Sequence, residues 1–160
     1  MKSAHIVAVI SVAAAPAFAQ APTQRLTAQS AQAIIAGCAA HAEAKGQSHA
    51  IAVYDAGANP VAFLRMEGNG AGVGAFSMEK AKAAAMWGFP TSGMAEAVKD
   101  VPGFANAPGV VTVGGGVPIF SADGKMFLGA AAASGEAPED DASCVEAGIK
   151  AAGLSAQRVR

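Results

Sequence analysis

Residues 50–68 hold the feature that most constrains the fold, two short apolar runs separated by a turn. Ile51, Val53, Val61 and Phe63 fall at every second position of these runs, which is the spacing of β-strands. Turn-forming Asp, Gly, Asn and Pro lie between the runs. The pattern predicts a β-hairpin, and its almost continuously apolar first strand predicts helices on both faces of the sheet.

The rest of the chain predicts four helices and three more strands. We expect helices from Thr27, as N-cap, to about residue 45; over residues 78–87 with Ser77 as N-cap; from Thr91 or Ser92 towards residue 99; and from Pro138 to just before Gly153. The strands are expected at residues 110–113, 117–121 and 126–133 in two adjacent hairpins, with Pro118 on an edge strand or at a position where no ladder hydrogen bond is required. This order predicts an α+β domain built on an antiparallel sheet.

The N-terminus has the pattern of a secretory signal peptide. Lys2 precedes a short apolar run, and Ala17-Phe18-Ala19 forms an A-x-A cleavage site. The run is too short to span a hydrocarbon core of about 30 Å. We therefore expect a signal peptide over residues 1–19 with cleavage after Ala19, a tether over 20–26, one domain over 27–154 and a tail over 155–160. The mature protein is expected to be periplasmic or secreted, without a membrane span.

Charge and cysteine content narrow the function classes. The chain has 11 basic and 12 acidic side chains and no basic run, which argues against a nucleic-acid partner. Cys38 and Cys144 are its two cysteines, and export would place them in an oxidising compartment. A disulfide is the favoured interpretation, and two buried free thiols are the alternative. Two distant cysteines and His41 and His49, eight residues apart, do not match a structural zinc pattern.

Four ordered blocks resemble the GlcG/HbpS family, which also includes the C-terminal domain of PduO proteins. The blocks are IAVYDAG through LRMEG at residues 51–68, SMEKAK through GFPT at 77–91, GGVPI at 115–119, and the stretch from Gly129 through SG to PEDD at 138–141. The resemblance covers about residues 27–154. It implies a profilin-like five-stranded antiparallel sheet with helices on both faces, assembly into a homo-oligomer, and binding of haem or another tetrapyrrole. In some exported members it also implies haem degradation, iron handling or redox sensing.

Haem needs one axial donor and an apolar slot, and His41 is the leading donor. His49, Tyr54 and Met66 are the other candidates. His41 lies at the edge of the apolar stripe of the first helix, so it is expected either to border a pocket or to be an ordinary surface histidine. With suitable packing it would face Arg65 and Met66.

A second group of candidates could hold an anion. Gly70, Gly72 and Gly74 belong to a run of alternating glycines before Ser77, and such a loop can direct backbone N–H groups at a carboxylate or a haem propionate. Arg65 and Lys80 would add charge-assisted hydrogen bonds. A surface loop without a ligand is the alternative. Ser77 and Lys80 also have the spacing of a nucleophile pair, but helix capping explains Ser77 without chemistry.

The primary hypothesis is therefore an exported, oligomeric haem- or tetrapyrrole-binding protein. One alternative is an enzyme or binding protein for a small carboxylated metabolite, held by Arg65, Lys80 and the glycine run. Another is an oligomeric scaffold, because the helices and the last strand are rich in Ala and Gly. No set of residues forms a convincing catalytic constellation.

Overall fold

The computed structural model describes residues 24–159. The predicted signal peptide lies outside the described residues, as does most of the predicted tether. The elements follow in the order α1 (Ala28–Lys45), β1 (Ala50–Asp55), β2 (Pro60–Arg65), α2 (Ala71–Trp87), α3 (Thr91–Asp100), a 3₁₀ turn (Pro102–Asn106), β3 (Gly116–Phe120), β4 (Phe127–Ser134) and α4 (Pro138–Ala151). None of the helices within residues 24–159 is long and apolar enough to cross a membrane.

The sheet has four strands in the order β2-β1-β4-β3, and every neighbouring pair is antiparallel. The α+β class and the hairpin of β1 and β2 are confirmed, but the prediction of five strands and two adjacent C-terminal hairpins was wrong. Residues 110–113 form no strand. Gly116 pairs with Ala132, so the chain before residue 114 runs past the end of β4 and has no strand to pair with.

Helices cover both faces of the sheet, as predicted from the apolar first strand. On one face, α1 and α4 pack on alternate residues of the strands, including Ile51, Val53 and Ile119. On the other face, α2 packs its alanines on Ala52, Tyr54 and the small residues of β4. The domain therefore has three layers, and β1 is buried along almost its whole length.

A disulfide joins Cys38 of α1 to Cys144 of α4, which confirms the predicted pairing. Both cysteines are fully buried in the apolar core beneath the two helices. The N-cap at Thr27 is also confirmed, since its side chain accepts a hydrogen bond from the backbone N–H of Ser30, and Gly46 ends the helix in the left-handed conformation.

The predicted start of α2 was wrong. The helix begins at Ala71 after Gly70, so Ser77 lies inside it, and the Ser77 hydroxyl donates to the carbonyl of Gly74. Gly72 and Gly74 are therefore helical rather than part of a loop. Helical glycine is unfavourable by about 1 kcal/mol, but a Cβ on Gly74 would lie 3.3 Å from the Phe63 ring. The close approach of β2 therefore favours a residue without a side chain at position 74.

The structure differs from the sequence prediction at Thr91 and in the predicted tail, and agrees with it at Pro118. Pro90 is the N-cap of α3, and the Thr91 hydroxyl instead accepts a hydrogen bond from the backbone N–H of Gly116. Pro118 does lie on an edge strand, as predicted. Ser155, in the predicted tail, exchanges backbone hydrogen bonds with Phe120 of that strand, so the start of the tail is attached to the sheet.

Candidate functional site

A cavity of about 440 Å³ lies where α2 begins, β4 ends and α4 begins. We call it the Phe76 cavity. Its walls combine apolar side chains with buried polar ones, namely Gly72, Val73, Phe76, Lys80, Val113, Ser134, Gly135, Glu136, Pro138 and Asp141. Of the predicted site residues, Gly72 and Lys80 are in this lining.

Three buried ionisable side chains meet beside this cavity. Lys80 Nζ lies 2.9 Å from Asp141 Oδ2, and Asp141 Oδ1 lies 3.0 Å from His49 Nδ1. All three side chains are at most 2% exposed. The lysine also donates to the carbonyl of Ala133, and the backbone N–H of Glu136 donates to Asp141 Oδ1. The buried charges are thus paired and hydrogen-bonded, as burial requires.

The path of Lys80 explains the glycine at the start of the GGVPI block. Lys80 comes from α2 and Asp141 from α4, so the ion pair joins helices on opposite faces of the sheet past the point where β3 begins. Gly115 has φ 114° there, and a Cβ at this position would lie 2.9 Å from Lys80 Nζ and 2.8 Å from the carbonyl oxygen of Ala133. A side chain at residue 115 would therefore block the ion pair.

Two buried polar atoms near the cluster have no hydrogen-bond partner within residues 24–159, His49 Nε2 and Ser134 Oγ. A carboxylate only accepts hydrogen bonds, so the contact with Asp141 assigns the proton of a neutral His49 to Nδ1 and leaves Nε2 as an acceptor. Ser134 lines the Phe76 cavity. It alternates with Ala130 and Ala132, which pack against α2, so its side chain lies on the α2 face.

A second cavity, of about 610 Å³, adjoins the first, and Val113 and Pro138 line both. We call it the Ser143 cavity. Its remaining lining residues come from α3, the segment before β3, and α4: Ser92, Ala95, Glu96, Thr112, Gly114, Glu139, Ala142, Ser143 and Glu146. His41 Nε2 lies 3.2 Å from Ser143 Oγ. The half-buried imidazole of His41 therefore does not line this cavity itself, but it contacts Ser143, a residue that does.

The other predicted site residues do not join these cavities. Arg65 and Met66 line a separate cavity of about 420 Å³ beside α1, and Arg65 Nη1 donates to the carbonyl of Asn69. His41 faces Ser143 of α4, so it does not face Arg65 and Met66 as the sequence suggested. Gly70 is the N-cap of α2, and Gly74 and Ser77 are buried.

Tyr54 is nearly buried under α2. Burial, followed by the negative charge of Glu79, raises the pKa of its phenol above the ordinary value of 10.0. Tyr54 therefore stays neutral over a wider pH range than a free tyrosine. It lines neither the Phe76 cavity nor the Ser143 cavity.

Sequence analysis missed the role of Asp141 and the position of Ser134. It included Asp141 only as part of the PEDD block and gave it no role in a site. The spacing of residues in α4 could have predicted that Asp141 is buried. Its position falls on one helix face with three other residues, and all four are buried: Asp141, Cys144, Val145 and Gly148. For Ser134 the signal is its place in the two-residue alternation of β4.

The chain matches a known protein family over most of its length. A family model described as "Haem degrading protein HbpS-like" matches residues 26–150, and the chain belongs to this family. No curated protein matches significantly.

No group of three or more His, Cys, Asp or Glu side chains within residues 24–159 is arranged to hold a metal ion.

Solved structures share the fold. A structure of a double mutant of Streptomyces reticuli HbpS has TM-score 0.75 and 25% identity, over 89% of this chain and 97% of the other. Klebsiella pneumoniae ORFY has TM-score 0.77 and 22% identity, over 87% and 97%. A PduOC:heme complex has TM-score 0.75 and 18% identity, over 84% and 100%.

Proposed function

We propose that this protein binds haem or a related tetrapyrrole in the Ser143 cavity, with His41 as the axial ligand of the iron. The observation that carries the proposal is a half-buried imidazole nitrogen placed directly behind the wall of a cavity of about 610 Å³. Ligand cavities are usually about 300–1,000 Å³. Membership of the HbpS-like family and the haem complex of a protein with the same fold support it.

The donor set fits haem. Imidazole is a common axial ligand of haem iron, and rotation of the Ser143 hydroxyl away from His41 would free Nε2. The other candidates are placed less well: His49 is fully buried against Asp141, and Met66 lines a different cavity. When bound, haem would supply a redox-active iron.

Charge sets the orientation of the ligand. Glu96, Glu139 and Glu146 line the Ser143 cavity and would repel the two propionates of haem. Apolar contacts come from Ala142 and from Val113, which is shared with the Phe76 cavity. The apolar part of the macrocycle is therefore assigned to the Ser143 cavity, with the propionates directed away from the three carboxylates.

Titration of haemin into the wild-type protein and His41→Ala tests this function. We expect a shifted Soret band in the wild type, and a changed spectrum with at least about tenfold weaker binding in the variant, since even loss of a hydrogen-bond partner behind a metal ligand typically weakens metal binding 10- to 100-fold. Ser143→Ala is the matched control. Ser143 is hydrogen-bonded to Nε2 itself, the atom proposed to bind iron, so its loss keeps the imidazole and removes a competing contact. This variant should bind haemin at least as well as wild type. Absence of a Soret shift in the wild type contradicts haem binding. An unchanged spectrum and affinity in His41→Ala contradicts the axial role.

Export and self-assembly belong to the same proposal. The buried disulfide is typical of proteins from oxidising compartments, which supports a periplasmic or secreted location. For assembly, Phe63 and Leu64 are exposed on the edge strand β2, and such an edge can be covered by a second copy of the chain. Cell fractionation and light scattering check the two expectations; Leu64→Lys should lower the mass of the assembly. Haem degradation, iron handling and redox sensing stay predictions.

A further inference from the structure

We propose that the Phe76 cavity is a separate subsite for a small apolar carboxylate, which accepts hydrogen bonds from Ser134 Oγ and Lys80 Nζ. The inference goes beyond haem binding and does not depend on it. It starts from Ser134, whose hydroxyl is buried, has no partner within residues 24–159, and belongs to a residue that lines the cavity. An unsatisfied buried hydroxyl is unfavourable by about 1–3 kcal/mol, and a ligand oxygen would remove that penalty.

Lys80 supplies a second donor. Its ammonium has three N–H groups, and the acceptors within hydrogen-bond distance in residues 24–159 are Asp141 Oδ2 and the carbonyl of Ala133. The Phe76 ring lies 4.8 Å from Nζ and accepts no conventional hydrogen bond. One N–H group therefore remains for a ligand.

The first turn of α2 adds further donors to the same cavity. Gly72 and Val73 line it. Their backbone N–H groups come before the first i to i−4 hydrogen bond of the helix, so they have no carbonyl partner within it. Gly70, the N-cap, provides no side-chain hydrogen bond. A helix N-terminus also carries a partial positive charge of about one half. The paired charges of Lys80 and Asp141 cancel, so this partial charge favours an anion over a neutral ligand.

The walls define the rest of the ligand. Val73, Phe76, Val113 and Pro138 offer apolar contact around a volume of about 440 Å³. The Glu136 carboxylate is at the exposed rim, where it accepts a hydrogen bond from the backbone N–H of Ser48. It would repel a second negative charge on the part of the ligand that reaches the rim. The site is therefore suited to a monocarboxylate with an apolar or aromatic body. The sequence-based hypothesis included Arg65 in an anion site, but Arg65 lines a different cavity, and the subsite proposed here has Ser134 instead.

Calorimetric titration with benzoate, and with benzamide as the neutral probe of the same shape, tests the proposal in the absence of haemin. We expect benzoate to bind and benzamide to bind at least about tenfold more weakly. Ser134→Ala should weaken benzoate binding by about tenfold or more, the effect of one hydrogen bond to a charged group. Within residues 24–159 Ser134 has no hydrogen-bond partner to lose, and the substitution removes an unsatisfied buried hydroxyl, so this variant should unfold at the wild-type temperature or above it.

Ser77→Ala is the matched control. It removes another buried hydroxyl of the α2 layer, but one that already donates to Gly74, so it should leave benzoate affinity within about twofold. Three results would overturn the inference: no benzoate binding, equal binding of benzamide, or an unchanged affinity in a folded Ser134→Ala protein. None of them would bear on haem binding at His41.

Discussion

Lys80 Nζ and Asp141 Oδ2 lie 2.9 Å apart in the interior and connect the helix on one face of the sheet with a helix on the other. His49, the residue before β1, forms a hydrogen bond with the second carboxylate oxygen. The cluster therefore ties three layers together next to the Phe76 cavity.

Lys80→Met should destabilise the fold strongly, because it leaves the Asp141 carboxylate buried without its cation. We expect a loss of about 3–5 kcal/mol in the free energy of unfolding, measured by urea denaturation and followed by the fluorescence of the single tryptophan. Lys99→Met is the matched control. Its ion pair with Glu96 is exposed, so the loss should be below about 1 kcal/mol. Equal losses in the two variants would contradict the importance of the buried pair.

The disulfide should make a comparable contribution. Cys38 and Cys144 are 106 residues apart, and closing a ring of this size stabilises a fold by up to about 4.7 kcal/mol in the chain-entropy model. We expect the double variant Cys38→Ala/Cys144→Ala to lose about 3–5 kcal/mol. Wild-type protein unfolded with a reductant should show a similar loss. Mass spectrometry of unreduced peptides that found two free thiols would contradict the bridge.

Gly148→Ala should weaken the contact between α1 and α4. A Cβ at residue 148 would collide with the carbonyl oxygen of Ile34, and forced overpacking typically costs about 1–3 kcal/mol. Gly72→Ala is the control, since nothing lies within 4 Å of its Cβ position; it should gain about 0.5–1 kcal/mol from helix propensity. Thermal unfolding measures both. A Gly148→Ala protein as stable as Gly72→Ala would rule out the close helix contact.

The raised pKa of Tyr54 predicts a loss of stability at alkaline pH. Above pH 10.0, the ordinary pKa of tyrosine, the unfolded chain releases the phenolic proton while the folded chain retains it. Stability should therefore fall as pH rises from about 10 towards the pKa of the folded state. Tyr54 is the single tyrosine, so tyrosinate absorbance reports it alone, and its midpoint should be higher in native than in denatured protein. Tyr54→Phe should flatten the alkaline slope; identical midpoints would contradict the burial effect.

Much of the architecture follows from local sequence patterns. The alternation in β1 and β2, the Thr27 and Gly46 caps of α1 and the apolar stripe around Cys38 all reflect interactions within one element or its turn. Local chemistry determines such features because the residues that decide them are neighbours in the chain. The edge position of Pro118 follows for the same reason, since proline has no N–H to donate in a central strand.

Where the prediction failed, a distant contact decided the structure. Gly74 lies inside α2 where Phe63 leaves little room for a side chain, and Thr91 bonds to Gly116 rather than capping α3. Residues 110–113 have strand-like composition but extend past the end of β4. A strand requires a partner, and the register of the sheet determines whether one is present.

The sequence by itself determined the α+β class, the family, the cysteine pairing as the favoured interpretation, and His41 and Lys80 as candidates. Only the tertiary structure brought Lys80 to Asp141, His41 to Ser143, and Ser134 to the wall of the Phe76 cavity. The first two of these pairs are 61 and 102 residues apart in the chain. The chemistry of a buried side chain depends on which groups the fold packs against it, and no local pattern specifies those partners.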